Sequence, residues 1–180
     1  MSMRLTLVPF KSMPGGLARA VARQLRGILP WRFVVTPPVA DPLPPVPFDP
    51  VDIGLFWPLL PHSARHDELS IGLTAMDVST RDLGTVFGYA DMSTHVAIVS
   101  AFHLATGTQG RRGGHRLLIE RITREALHEA GHLMGLPHCD RPGCVMQYSQ
   151  TLNDTDIKQS RFCPDCLREL SRLPESSVER

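Results

Sequence analysis

The stretch that decides the reading is His128-Glu-Ala-Gly-His132-Leu-Met-Gly135-Leu-Pro-His138-Cys139, continued by Asp-Arg-Pro-Gly-Cys144-Val-Met146. His128 and His132 stand four residues apart, so on an α-helix their imidazoles leave one face a turn apart and can share a metal ion. Glu129 falls beside them, placed to take a proton from water at that metal. Gly135 is the expected helix stop, because glycine accepts the left-handed conformation that follows a last helical turn, and Pro137 cannot resume the helix. His138 can then swing back as a third ligand. Three neutral imidazoles leave the fourth corner of a tetrahedral Zn²⁺ open to water, the mark of a catalytic rather than a structural site. Under ordinary composition the full pattern arises by chance on the order of 10⁻⁴, which leaves a surface helix with solvated histidines as the weaker account.

The helix bearing this motif is expected to run from about His115 to Met134. Leu118, Ile122, Ala126, Ala130 and Leu133 form a stripe that would fix it to a sheet, turning His128 and His132 to the other side. Before it, Thr106 to Gly114 is glycine-rich and reads as an exposed loop that could gate a cleft. Upstream lie the strands. Arg4–Phe10, Trp31–Thr36, Leu69–Asp77, Thr85–Ala90 and His95–Leu104 are the expected ones, with a helix between the first two along Leu17, Val21, Leu25 and Ile28. Gly88 inside its strand suggests a close backbone approach, here by a bound peptide. Half of residues 37–50 are proline, which excludes helix and central strand and reads as an extended loop. His62, His66, His95 and His103 read as solvated or strand-end residues, and Asp77 as a turn or cap.

The four cysteines, Cys139, Cys144, Cys163 and Cys166, show the spacing of a four-thiolate zinc knuckle. Two disulfides or free buried thiols are the alternative, less favoured for a chain without a secretory leader. The N-terminal apolar run is too short for a signal peptide, and no stretch reaches transmembrane length, so a soluble cytoplasmic protein without membrane contact is expected. With 19 basic and 18 acidic residues the formal net charge is +1, no footprint for nucleic acid. A length of 180 residues, 42% of them hydrophobic, predicts one domain over 1–180 with its own core. Its sheet and helices would occupy 1–134 and its metal-stapled C-terminal part 135–180.

The motif His128-Glu129-x-x-His132-x-x-Gly135-x-x-His138-Cys139-x₄-Cys144-x-Met146, followed by Cys163-x-x-Cys166, resembles that of the archaemetzincins, a branch of the metzincin metallopeptidases. A weaker similarity covers Ile71 to Leu104. The resemblance implies an α+β fold, with a mixed β-sheet of four to five strands, an antiparallel edge strand over the cleft, and two long helices behind. It implies a Met-turn at Met146 shaping the floor of the site, and Zn²⁺ at two sites per chain, one catalytic and one structural. The activity implied is hydrolysis of peptide or protein substrates by a monomer, with Glu129 as general base. A metal protein that binds peptides along its edge strand without cleaving them is the rival, and endopeptidase against aminopeptidase stays open. Two features depart from the family. Sixteen residues separate Met146 from Cys163, one fewer than expected, and Tyr148 stands where a phenylalanine is expected. The Tyr148 phenol is a candidate fifth ligand or hydrogen-bond donor to the reacting carbonyl, against the plainer reading of a packed ring with a wet hydroxyl.

Overall fold

The computed structural model describes residues 3–43, 49–63 and 65–172. The middle of the proline-rich stretch, 44–48, and the ends of the chain fall outside the described residues, so the extended-loop expectation bears only on their flanks, where Val39 makes an isolated bridge to Phe10.

In chain order the elements are β1 (Arg4–Pro9), α1 (Leu17–Arg26), β2 (Arg32–Val35), β3 (Val51–Asp52), a 3₁₀ helix (Ile53–Leu59), β4 (Glu68–Thr74) and β5 (Val78–Thr80). There follow β6 (Gly84–Thr85), β7 (Gly88–Asp91), β8 (Val96–Ser100), α2 (Ala101–Leu104), α3 (Gly114–Leu133), α4 (Leu152–Ile157) and α5 (Pro164–Arg172). The main sheet has five strands in the order β2-β1-β4-β8-β7. Its first four strands are parallel, and β7 alone runs antiparallel, pairing Tyr89 with Ile98 and Ala90 with Ala97. The mixed sheet with an antiparallel edge is therefore as the family resemblance implies.

The inner strands β4 and β8 are buried on both faces, which is why they read as continuous apolar runs, whereas the edge strands β2 and β7 are partly exposed. Leu5, Leu7, Leu69, Ile71, Leu73, Ala97 and Val99 face α1 and α3, where they meet Leu17, Val21, Leu25, Ile122, Ala126 and Ala130. On the opposite face Val8, Phe10, Val96 and Ile98 pack with Ile53, Phe56, Met76 and Val78, supplied by the 3₁₀ helix and the small β3-β5-β6 sheet. Burying each large apolar side chain contributes about 1.5–3 kcal/mol, so the two layers stabilise the sheet from both sides. Among the described residues no helix is long and apolar enough to cross a membrane.

Three expectations are corrected. The segment His95–Leu104 is not one strand: Ser100 closes β8, and its hydroxyl accepts the backbone N–H of Phe102 to start α2. Serine competes for local backbone donors in this way, and periodicity does not register it. The run Thr85–Ala90 divides between two sheets, Thr85 pairing with Ser79 and Gly88–Ala90 with β8. The strand expected over Leu69–Asp77 spans Glu68–Thr74 instead. The loop before α3 is mostly exposed, as expected, and is anchored from beneath: Thr108 is buried, and the Arg121 guanidinium donates to the Leu104 and Thr106 carbonyls at 2.8 Å each.

Candidate metal centre and cleft

The last turn of α3 builds the site. Gly135 has φ +88°; its N–H donates to the His132 carbonyl at 2.8 Å, and Leu136 N–H donates to the Gly131 carbonyl at 3.0 Å. This pair of bonds ends a helix around a left-handed residue, a conformation an L side chain resists. The chain reverses, and His138 returns to His128 and His132.

The three side chains converge. His132 Nε2 lies 3.1 Å from His128 Nε2 and 3.3 Å from His138 Nε2. His128 Nδ1 donates to the Val145 carbonyl and His132 Nδ1 to the Leu136 carbonyl, both at 2.8 Å. A carbonyl only accepts, so each of these rings carries its proton on Nδ1 and presents a lone pair from Nε2. Two lone pairs about 3 Å apart repel unless a cation lies between them. Nitrogens bound at ~2.0–2.1 Å in a tetrahedron stand about 3.3 Å apart, and the observed spacings fit that. Burial pushes the three histidines below their usual pKa, His128 to about 2, so the donors are already neutral. The carbonyls behind the rings are the outer partners that fix a ligating imidazole.

Glu129 is buried beside the triad, its pKa pushed well up by burial and by the neighbouring Glu125 carboxyl and drawn down by Lys158. Glu125 stands one turn earlier on α3, also buried; its Oε1 accepts from Thr155 Oγ1 at 3.2 Å and from Lys158 Nζ at 3.5 Å. Lys158 is fully buried in turn. The sequence reading missed this pair: helical spacing could have flagged Glu125, but nothing local marks Lys158.

Met146 is fully buried and packs on Gly131, where an added Cβ would meet its sulfur at 2.3 Å. The turn that carries Met146 also supplies the Val145 carbonyl to His128. Tyr148 is 55% exposed, its ring edge-on to His138 with centroids 5.0 Å apart.

The four cysteines form a second cluster behind the triad. All are free thiols, with Cys139 and Cys163 sulfurs 3.8 Å apart and Cys144 and Cys166 sulfurs 3.7 Å apart. A disulfide needs ~2.05 Å, whereas sulfurs bound at ~2.3 Å in a tetrahedron stand about 3.8 Å apart. The donor set thus fits a metal and not two bridges. Burial pushes the Cys139 and Cys166 thiols up. Against the same burial, the Cys166 backbone N–H and neighbouring thiols draw Cys163 down to about 7.

A cleft of about 560 Å³ opens over the triad, walled on one side by the edge strand β7 and on the other by Tyr148 to Leu152. Gly88 does mark a close approach, but of Glu129: a Cβ there would meet Glu129 Oε1 at 2.6 Å. His103, expected as a simple strand-end residue, lines the cleft from α2 with its Nε2 3.0 Å from Asp77 Oδ1. His62 lies outside the cleft with Nε2 2.8 Å from the Trp57 carbonyl, and His66 faces His95.

Taken together, the sheet, the cleft under its edge and the three histidines form one site whose donors suit a metal ion. Residues 63–172 match the profile of peptidase family M54. An archaemetzincin from Thermococcus kodakarensis is 39% identical over 121 residues, 66% of this chain and 65% of that protein. The match thus spans just under two thirds of that relative. One from Haloquadratum walsbyi is 30% identical over 175 residues, covering 93% of this chain and 99% of the relative. Among solved structures, an archaemetzincin from Archaeoglobus fulgidus, complexed with malonate, superposes with a TM-score of 0.76 at 26% identity, covering 93% of this chain and 99% of that one. A zinc-dependent peptidase from Methanocorpusculum labreanum does so at 0.76 and 28%, covering 92% and 99%. The chain belongs to peptidase family M54, the archaemetzincins.

Proposed function

We propose that this chain is a zinc metallopeptidase of one domain, hydrolysing peptide bonds in chains laid along β7. His128, His132 and His138 are the ligands of the catalytic zinc. A zinc ion held there supplies a Lewis acid for the scissile carbonyl and lowers the pKa of its water. Glu129 accepts the proton of the attacking water and delivers it to the departing nitrogen. Burial and the Glu125 carboxyl push its pKa up, and Lys158 with Glu125 keeps charge balance around it. β7 is the terminal strand of the sheet, so its outer edge offers N–H and C=O groups to an extended peptide. Tyr148, at the mouth of the cleft beside His138, is positioned to donate from its phenol to the reacting carbonyl. Cys139, Cys144, Cys163 and Cys166 hold a second, structural zinc that staples the segment after α3.

The observation that carries this reading is the pair of facing Nε2 lone pairs in the triad with a buried glutamate alongside. A mixed-peptide library with mass-spectrometric readout tests it. Chelator-sensitive cleavage by the wild type is expected, with Glu129→Gln keeping its zinc and losing at least ~10³-fold in rate. Saturable peptide binding without cleavage would support a non-catalytic metal protein instead.

A further inference from the structure

Outside the cleft, the segment leading into β4 and the turn joining β7 to β8 bring two histidines together. His66 Nδ1 and His95 Nε2 are 3.0 Å apart, with ring centroids at 4.8 Å and planes crossing at 88°. The same signature occurs twice in the triad: His128 and His132 have nitrogens at 3.1 Å, centroids at 4.6 Å and planes at 89°. His132 and His138 give 3.3 Å, 4.7 Å and 85°. A second parallel concerns the ring behind. His95 Nδ1 lies 3.3 Å from the Ser63 carbonyl, which can only accept, so the proton sits on Nδ1 and the Nε2 lone pair faces His66. A third observation is backbone. His95 is, among the described residues, the one non-glycine residue with positive φ, at +56°. That conformation is uncommon for L side chains other than Asn, Asp and His, and it falls in the turn from which the His95 imidazole meets His66.

We propose that His66 and His95 form a further metal site, binding a borderline divalent cation such as Zn²⁺, Ni²⁺ or Cu²⁺ through two imidazoles, with solvent completing the coordination. Imidazole donors select this class over Mg²⁺ or Ca²⁺, which need oxygen ligands. Two ligands without a cage give affinity well below that of the triad or the thiolate cluster, so the site fills only at higher free metal. The two residues are 29 apart in sequence. An ion between them would tie the β7–β8 turn to the start of β4, and would stiffen the hairpin whose outer strand walls the cleft.

The site is independent of the peptidase reading and is tested without activity. Wild-type protein and two variants, His66→Gln and His95→Asn, are dialysed to equilibrium against micromolar zinc, and bound metal is counted. Asparagine tolerates positive φ, so His95→Asn keeps the backbone, and His66 is exposed. Wild type is expected to hold one equivalent more than either variant at the same free zinc, and, once the histidine triad and the four cysteines are loaded in all three proteins, its Tm to rise by several degrees on further addition of zinc while theirs does not. In Cu²⁺-loaded protein an additional spin-resonance signal with two nitrogen couplings is expected, absent from both variants. Equal zinc content in all three folded proteins overturns the proposal and leaves the pair as a hydrogen bond between the two rings.

Discussion

Replacing Gly88 with alanine isolates the placement of Glu129 from everything else in the site. No positive φ occurs at Gly88, so alanine meets no backbone strain there; the whole effect is the new methyl. Its Cβ would stand 2.6 Å from Glu129 Oε1, and 3.0 Å from both Glu129 Cγ and the Ile98 carbonyl oxygen. To reach the 3.4 Å of ordinary contact, the carboxylate must withdraw by about 0.8 Å. The carboxylate is the free end of a side chain, so it yields more readily than the sheet does. The stability cost is therefore small, about 1 kcal/mol, at the low end for an overpacked site. That corresponds to a drop in Tm of roughly 2–4 °C for a chain of this size. Catalysis should suffer far more, because a displacement of about 1 Å in a reacting group costs on the order of 10²-fold, or ~2.7 kcal/mol in the barrier. The assay is kcat/KM on a peptide identified from the library, with zinc content and Tm measured on the same preparation. Expected is a ~10²-fold loss at unchanged zinc, with Tm lower by only the roughly 2–4 °C of the overpacking. Activity within a factor of about 3 of wild type would refute the reasoning, and so would a loss that merely tracked loss of zinc or of fold.

Cys163→Ser should lose one zinc of two and lower resistance to urea by several kcal/mol, since metal binding free energy becomes folding free energy; unchanged metal content and midpoint would remove the structural role of the cluster. Lys158→Met strands the buried Glu125 carboxyl and should destabilise by about 3 kcal/mol. Adding Glu125→Gln should recover part of that in denaturant melts, and simple additivity would show that the two residues do not interact. The metal-free protein should also respond to acid in a defined direction. Its histidines are held neutral in the fold, His128 down to about 2, and protonate at an ordinary 6.5 once unfolded. The unfolded state then binds more protons, so stability falls as pH drops through 6.5 toward that lower value. Glu125 and Glu129, both pushed up by burial, act oppositely in the upper part of that window, so the melts are best made on protein carrying Glu125→Gln together with Glu129→Gln. A Tm that rises on acidification there would contradict the burial of the triad.

How much was legible follows from how far each feature reaches along the chain. The triad, its glycine stop and the thiolate knuckle depend on spacings of two to ten residues, and backbone period alone converts such spacings into geometry. The order and direction of the strands were legible only in outline. Ser100 turning β8 into α2, and Thr85 leaving Gly88 for another sheet, depend on which partner strand lies alongside.

The amino-acid sequence alone thus determined the two donor sets that the fold brings together, the acidic residue beside the triad and the α+β frame. Tertiary structure decided the environment of those groups. Gly88 touches Glu129 from 41 residues away, the Val145 carbonyl sets the His128 tautomer, Lys158 neutralises Glu125, His103 meets Asp77, and His66 meets His95. Each of these pairs joins separate elements, and its closeness comes from how the buried faces of sheet and helices pack. Packing acts between surfaces and leaves no periodic trace in the order of residues, which is why the ligands could be read along the chain and their surroundings could not.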